Sequence, residues 1–236
     1  PDPKALAEQI GHDLWELIEQ QYPDRDEPDA LEREERKHAS YRRSRLGVYL
    51  GGKRSINQLE RCIDAGQRKI LITGESGAGK SALIANWIAA HQQIQPKDVV
   101  FAHHLGCSSD ASAIRPLLAR LIETAKQQLP EDYGYSLAVP QDWWELVAKA
   151  VEALQSLGRC AVQNNHRWIW VLDGLDRLAC EDQNALPWLP LTIPDGVVVV
   201  ASALECQANE ILRQRKFRTH TIAPLKAKEQ EALIQQ

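Results

Sequence analysis

The residues best placed to do chemistry are Gly74-Glu75-Ser76-Gly77-Ala78-Gly79-Lys80-Ser81. They fit the phosphate-binding pattern G-x-x-x-x-G-K-[ST]. Glycines at 74, 77 and 79 let the backbone wrap closely, so that successive N–H groups point inward at phosphate oxygens. A helix starting at Gly79 adds unpaired N–H groups and the positive end of its dipole. Lys80 is spaced to reach β- and γ-phosphates, and the Ser81 hydroxyl to ligate Mg²⁺.

Two acids and a serine extend the set. Ile169 to Leu172 are apolar and Asp173 follows, which places a carboxylate at the end of a buried strand. Downstream of a phosphate loop, such a carboxylate holds Mg²⁺, usually through water. Asp176 has two readings: it orients or deprotonates an attacking water, or it caps the following turn. Ser202 ends another strand. It reaches a γ-phosphate or the attacking water, or it satisfies local backbone. His103-His104 would point to opposite faces of a strand and read as structural.

These residues need elements to hold them. Lys69 to Thr73 reads as a buried strand before the loop, and Ser81 to Gln93 as an amphipathic helix after it. A second strand reads at Asp98 to Leu105, a third at Arg167 to Leu172, a fourth at Gly196 to Ser202 and a fifth at Thr219 to Ile222. Helices read from about Ser112 to Gln128, Asp142 to Ala161 and Glu205 to Lys216. Another runs from Ser55, as N-cap, to Ala65, where Gly66 stops it. Pro130 to Pro140 reads as a loop, and a last helix starts at Leu225. Strands alternating with helices predict an α/β, doubly wound parallel sheet. Ligands bind such sheets beyond the carboxyl ends of the strands, where Asp173, Ser202 and the loop all lie. Trp168 and Trp170 read as core, with Trp143, Trp144 and Trp188 covering the sheet.

The N-terminal stretch differs. Lys4 to Gln20 has helical periodicity, Tyr22 to Asp29 reads as a linker, and Ala30 to Arg45 is dense in Glu and Arg. That last run reads as a solvated connector helix. Its sharper reading has Arg42, Arg43 and Arg45 contacting another module or a phosphate.

The 236 residues are 44% hydrophobic and 25% charged, ordinary for a globular protein. A net charge of −4 gives no basic footprint, so nucleic acid is not indicated as a partner. No apolar run approaches the ~20 residues of a membrane span. Five cysteines, widely spaced and without C-x-x-C, argue against a disulfide framework or a zinc site and for a reducing, cytoplasmic setting. The chain has no methionine, begins Pro1-Asp2-Pro3, and stops at Ile234-Gln235-Gln236 inside a helical pattern. It reads as a piece of a larger protein.

Taken in order, Tyr49-Leu50-Gly51-Gly52-Lys53, Gly74 to Ser81, Val171 to Asp176, Leu186-Pro187-Trp188-Leu189-Pro190, Val197 to Ser202 and Ile222-Ala223-Pro224-Leu225 carry a resemblance. Phe101 to Ser109 adds to it. The set resembles the P-loop NTPases of the STAND class, NACHT type, in their nephrocystin-like branch, over residues 46–236. Residues 1–45 resemble the helical extension of an effector-type domain that precedes such modules in bacterial proteins. The resemblance implies a five-stranded sheet in order 5-1-4-3-2, ATP (or GTP) and ADP with Mg²⁺, and a slow switch controlled by exchange and oligomerisation. It assigns Gly74, Gly77, Gly79, Lys80, Ser81 and Asp173 to the nucleotide and Asp176 to the second acid. It places Leu50 to Lys53 where the class contacts adenine. Two departures stand out: Arg177 where the family often has Glu, and Ala203 where many members have Arg.

The expectation is a nucleotide-dependent switch that binds ATP–Mg and hydrolyses it slowly. Its partners would be other domains of its own polypeptide, copies of itself and signalling proteins. One alternative is a P-loop enzyme or AAA-type motor acting on another substrate. The other is a scaffold that binds nucleotide without hydrolysing it.

Overall fold

The computed structural model describes Leu14 and residues 29–46, 53–108, 110–130, 138–179 and 185–222. The expected helix at 4–20 (apart from Leu14), the linker before residue 29, the segment 47–52, the loop residues 131–137 and the helix from Leu225 lie outside the described residues. The chain forms two compact units, residues 1–35 and 36–236. The boundary expected at 45/46 thus falls at 35/36, because residues 36–46 pack with the sheet-bearing unit.

That unit is built on five parallel strands: β1 (Lys69–Thr73), β2 (Val99–His104), β3 (Trp168–Asp173), β4 (Val197–Ala203) and β5 (Arg218–Thr221). Their order is β2-β3-β4-β1-β5, the order expected. The apolar runs of β3 and β4 explain their central place. A strand buried on both faces cannot alternate polar with apolar residues, and every residue of both is buried. Successive side chains feed two separate cores. Trp168, Trp170, Leu172, Val197 and Val199 face one core, and Ile169, Val171, Val198 and Val200 face the other.

Helices α2 (Lys53–Asp64) and α3 (Lys80–Ile94) cover the second face. Helices α4 (Ile114–Gln128), α5 (Trp143–Gln163) and α6 (Gln207–Gln214) cover the first. Asp142 caps α5 by accepting from the N–H groups of Trp144 (2.8 Å) and Glu145 (3.0 Å). Ser55 does not cap α2. That helix starts two residues earlier, at Lys53, and Gly66, at φ +81°, ends it. Trp188 is buried edge-on to Trp170. Trp144 is 65% exposed and lies edge-on to Trp143.

Two further contacts fix the frame at the amino ends of the strands. His91 of α3 lies between Glu60 of α2 (2.9 Å) and Asp98 (3.0 Å), and Asp98 accepts from Arg167 Nε at 2.7 Å. Gly196, with φ +78°, opens β4 against Gly158 of α5. A Cβ on Gly196 would fall inside contact distance of the Gly158 carbonyl, so helix and strand meet backbone to backbone.

Helix α1 (Ala30–Leu46) departs from the sequence reading. Its composition predicts a solvated connector, yet His38 is fully buried. The neutral His38 ring accepts the His104 N–H at 3.1 Å and lies 4.5 Å from the His103 ring. Burial and the nearby Arg120 drive the His38 pKa far below the usual imidazole range. One histidine among many charges carried no periodic signal, so the docking face was not legible.

Candidate functional site

The loop sits between β1 and α3. Gly79 takes the left-handed conformation (φ 88°, ψ 20°) immediately before the helix, which a side chain with a Cβ rarely adopts. Lys80 Nζ donates to the Gly74 carbonyl at 2.8 Å and the Glu75 carbonyl at 2.9 Å. Partial burial pulls its pKa below the usual lysine range, and Asp176 and Asp173 oppose that pull. Ala78 is buried in the core beneath the loop, while Glu75 and Ser76 are exposed.

Register brings the acids to the loop. Asp173 of β3 lies beside Ser202 of β4, and β4 lies beside β1. The Asp173 carboxylate is 2% exposed. It accepts from Ser202 Oγ at 2.6 Å and Ser81 Oγ at 3.1 Å on one oxygen. The other oxygen is 2.9 Å from His104 Nδ1. Burial alone would raise its pKa. The His104, Ser202 and Ser81 hydrogen bonds outweigh that and hold the carboxyl below the usual aspartate range. The Ser202 hydroxyl also accepts the Gly174 N–H at 3.0 Å. Its proton is directed at Asp173, so its geometry is that of a group holding the carboxylate in place. Asp176 accepts the Leu204 N–H at 2.8 Å and so ties the turn after β3 to the end of β4.

A cavity of about 480 Å³ joins these groups. Ser76, Gly77, Gly79, Lys80 and Ser81 line it from the loop, and Asp173, Asp176 and Ser202 from the strand ends. Gly74, Glu75 and Ala78 contribute backbone and packing rather than lining. Arg177 also lines the cavity, its side chain lying across Gly106 and Gly174.

The donors present fit nucleotide and metal. A hydroxyl and a carboxylate 3.1 Å apart are hard oxygen ligands of the kind Mg²⁺ takes. Inward N–H groups at a helix start, with Lys80, suit a polyphosphate. The sequence did not place His104 among these groups. That residue was read as structural, and only strand register puts it beside Asp173.

Comparison with known proteins agrees with the geometry. The model of the AAA ATPase domain matches residues 51–200. A TPR repeat-containing protein of Dictyostelium discoideum is 26% identical over 195 residues, which is 70% of this chain and 12% of that protein. Telomerase protein component 1 of Mus musculus is 28% identical over 139 residues, which is 57% of this chain and 5% of that protein. The chain therefore spans a small part of the length of these relatives. The crystal structure of Cdc6p from Pyrobaculum aerophilum shares the fold, with TM-score 0.50, 12% identity, and 78% of this chain and 48% of that one covered. The loop, the strand order and the family match converge: this chain belongs to the AAA ATPase domain family.

Proposed function

We propose that this chain is the nucleotide-dependent regulatory switch of a larger protein, binding ATP with Mg²⁺ and hydrolysing it slowly. The observation that carries this reading is the single cavity lined by Lys80, Ser81, Asp173 and Asp176. The loop N–H groups and Lys80 bind the β- and γ-phosphates. Ser81 and Asp173 would hold Mg²⁺, which would supply charge neutralisation to the phosphates. Ser202 and His104 orient Asp173. Asp176 keeps one oxygen on the Leu204 N–H and offers the other to the attacking water, which displaces ADP from the γ-phosphorus.

The finer assignment is to the NACHT type of the STAND class. The ordered motifs support it, as does the small share of the repeat-containing relative that this chain spans. Such a switch works by differential affinity: nucleotide favours one arrangement of the core relative to neighbouring domains.

Lys80→Ala tests the site. In the wild type, ATP–Mg at a hundred times its Kd adds about 2.7 kcal/mol of stability and raises Tm. In Lys80→Ala that rise disappears, and a retained ATP-dependent rise counts against the assignment. The AAA ATPase family match favours a second reading, an ATPase that does work on another macromolecule. Turnover separates the two.

A further inference from the structure

Arg45 is outside the loop, outside the strand ends and outside residues 51–200 matched to the family. It nevertheless lines the same cavity as Lys80, Ser81 and Asp173. We infer that Arg45, in the last turn of α1, binds the terminal phosphate of a nucleoside triphosphate held in this site.

The position is built rather than incidental. Asn86 of α3 donates to the Arg45 carbonyl at 3.2 Å, which ties the end of α1 to the helix that begins with the loop. The guanidinium lies over the Tyr41 ring, 3.2 Å from its centroid. Its Nη1 donates to the Tyr41 carbonyl (3.0 Å) and to Ser44 Oγ (2.9 Å). One edge of the fork is thereby fixed by its own helix. Nε and Nη2 donate to nothing among the described residues, and no carboxylate there pairs with Arg45. Tyr41 in turn packs on the ring of His104, centroids 5.0 Å apart, and His104 holds Asp173. The arginine and the carboxylate are thus held to one another through two aromatic rings.

The residues that share the cavity point to the terminal phosphate. Ser81 and Asp173 mark the wall that would hold a divalent cation beside the outer phosphates. Arg45 lines the same cavity, and the Asn86 amide that holds its carbonyl also donates to the Ala82 carbonyl at 2.9 Å, one residue past Ser81. A planar guanidinium with an unused edge matches phosphate oxygens, and pre-ordering by Tyr41 lowers the entropy lost on contact. A purely structural Arg45, locking the end of α1, would act equally on every nucleotide. A terminal-phosphate ligand acts on ATP and spares ADP.

This inference rests on the nucleotide-site reading, so the experiment includes Lys80→Ala. Affinities of ATP and ADP, each with Mg²⁺, are measured by calorimetry on the intact protein and on Arg45→Ala, Arg45→Lys and Arg43→Ala. The expected result is at least a tenfold loss of ATP affinity in Arg45→Ala, the scale of a hydrogen bond to a charged group. ADP affinity should stay within threefold, with partial recovery in Arg45→Lys and no change in Arg43→Ala. Equal loss for ATP and ADP, or unchanged ATP affinity, overturns it. Should Arg45→Ala unfold, Arg45→Lys alone decides, since it keeps the charge and loses the fork: a fall in the ATP:ADP affinity ratio supports the inference, and an unchanged ratio overturns it. Binding retained by Lys80→Ala would remove the nucleotide site itself and the inference with it. An Arg45 effect confined to both nucleotides equally, with Lys80→Ala inert, removes only the inference.

Discussion

Asp173 has three side-chain partners, and the three reach it from three different elements. A buried carboxylate without them would be pushed toward its neutral form and would make a poor metal ligand. His104 and Ser202 have no part in the loop motif, and His104 alone holds the second carboxylate oxygen. His104→Phe keeps the ring against Tyr41 and removes the hydrogen bond to Asp173. Urea unfolding should report a loss of about 1–3 kcal/mol for the unsatisfied carboxylate. Titration with Mg²⁺ at fixed ATP should need roughly 10–100 times more metal, the usual cost of losing a group that orients a metal ligand. An unchanged Mg²⁺ midpoint would make His104 a packing residue only. Gly74 to Ser81 and Asp173 were legible in the sequence because each is a local pattern: a loop whose spacing is dictated by phosphate, and a strand that ends in an acid. His104 was not, because its role comes from register with β3, which no local pattern encodes. Ser202 was legible as a position but open as to role, and its hydroxyl turns out to be directed at Asp173.

The elements follow their periodicities closely. The five strands and the helices α3 to α6 lie within two or three residues of their expected limits, since short apolar runs and helical periodicity fix them locally. What periodicity could not show is how elements grip one another. The His91 contact is an example: Glu60, His91, Asp98 and Arg167 are scattered through the chain, yet they join α2, α3 and the starts of β2 and β3. Burial lowers the His91 pKa, but Glu60 and Asp98 outweigh it and raise it above the usual imidazole value. The sign follows from linkage. The stabilisation is fully present below the unfolded-state value, near 6.5, and is lost as pH rises through the raised folded-state value. Unfolding free energy measured between pH 6 and pH 9 should therefore fall with pH in the wild type, and His91→Gln should flatten that dependence. A wild-type slope identical to that of His91→Gln would show that the imidazole is neutral in this contact. α1 teaches the same lesson, since its charges predicted solvation and His38 decided otherwise.

At the scale of the molecule, the question is whether hydrolysis does work or keeps time. A slow switch releases phosphate at well under one per minute without its partners, whereas working enzymes commonly turn over at about 1–10³ per second. Phosphate release by the wild-type chain at saturating ATP–Mg separates these, and a rate above roughly one per second would favour the ATPase that acts on another macromolecule. Asp176→Asn should slow whatever rate is found by about 10²–10⁴-fold if Asp176 serves the water. Loss of no more than the Leu204 contact, with turnover intact, would leave it a tether. The Gly158–Gly196 contact bears on how any such switch can move. Two backbones in direct touch have no side chain between them to change rotamer, so α5 and β4 form a joint without play. Elements seated on side chains have more room to shift than this joint. α1, resting on His38 and Tyr41, is such an element.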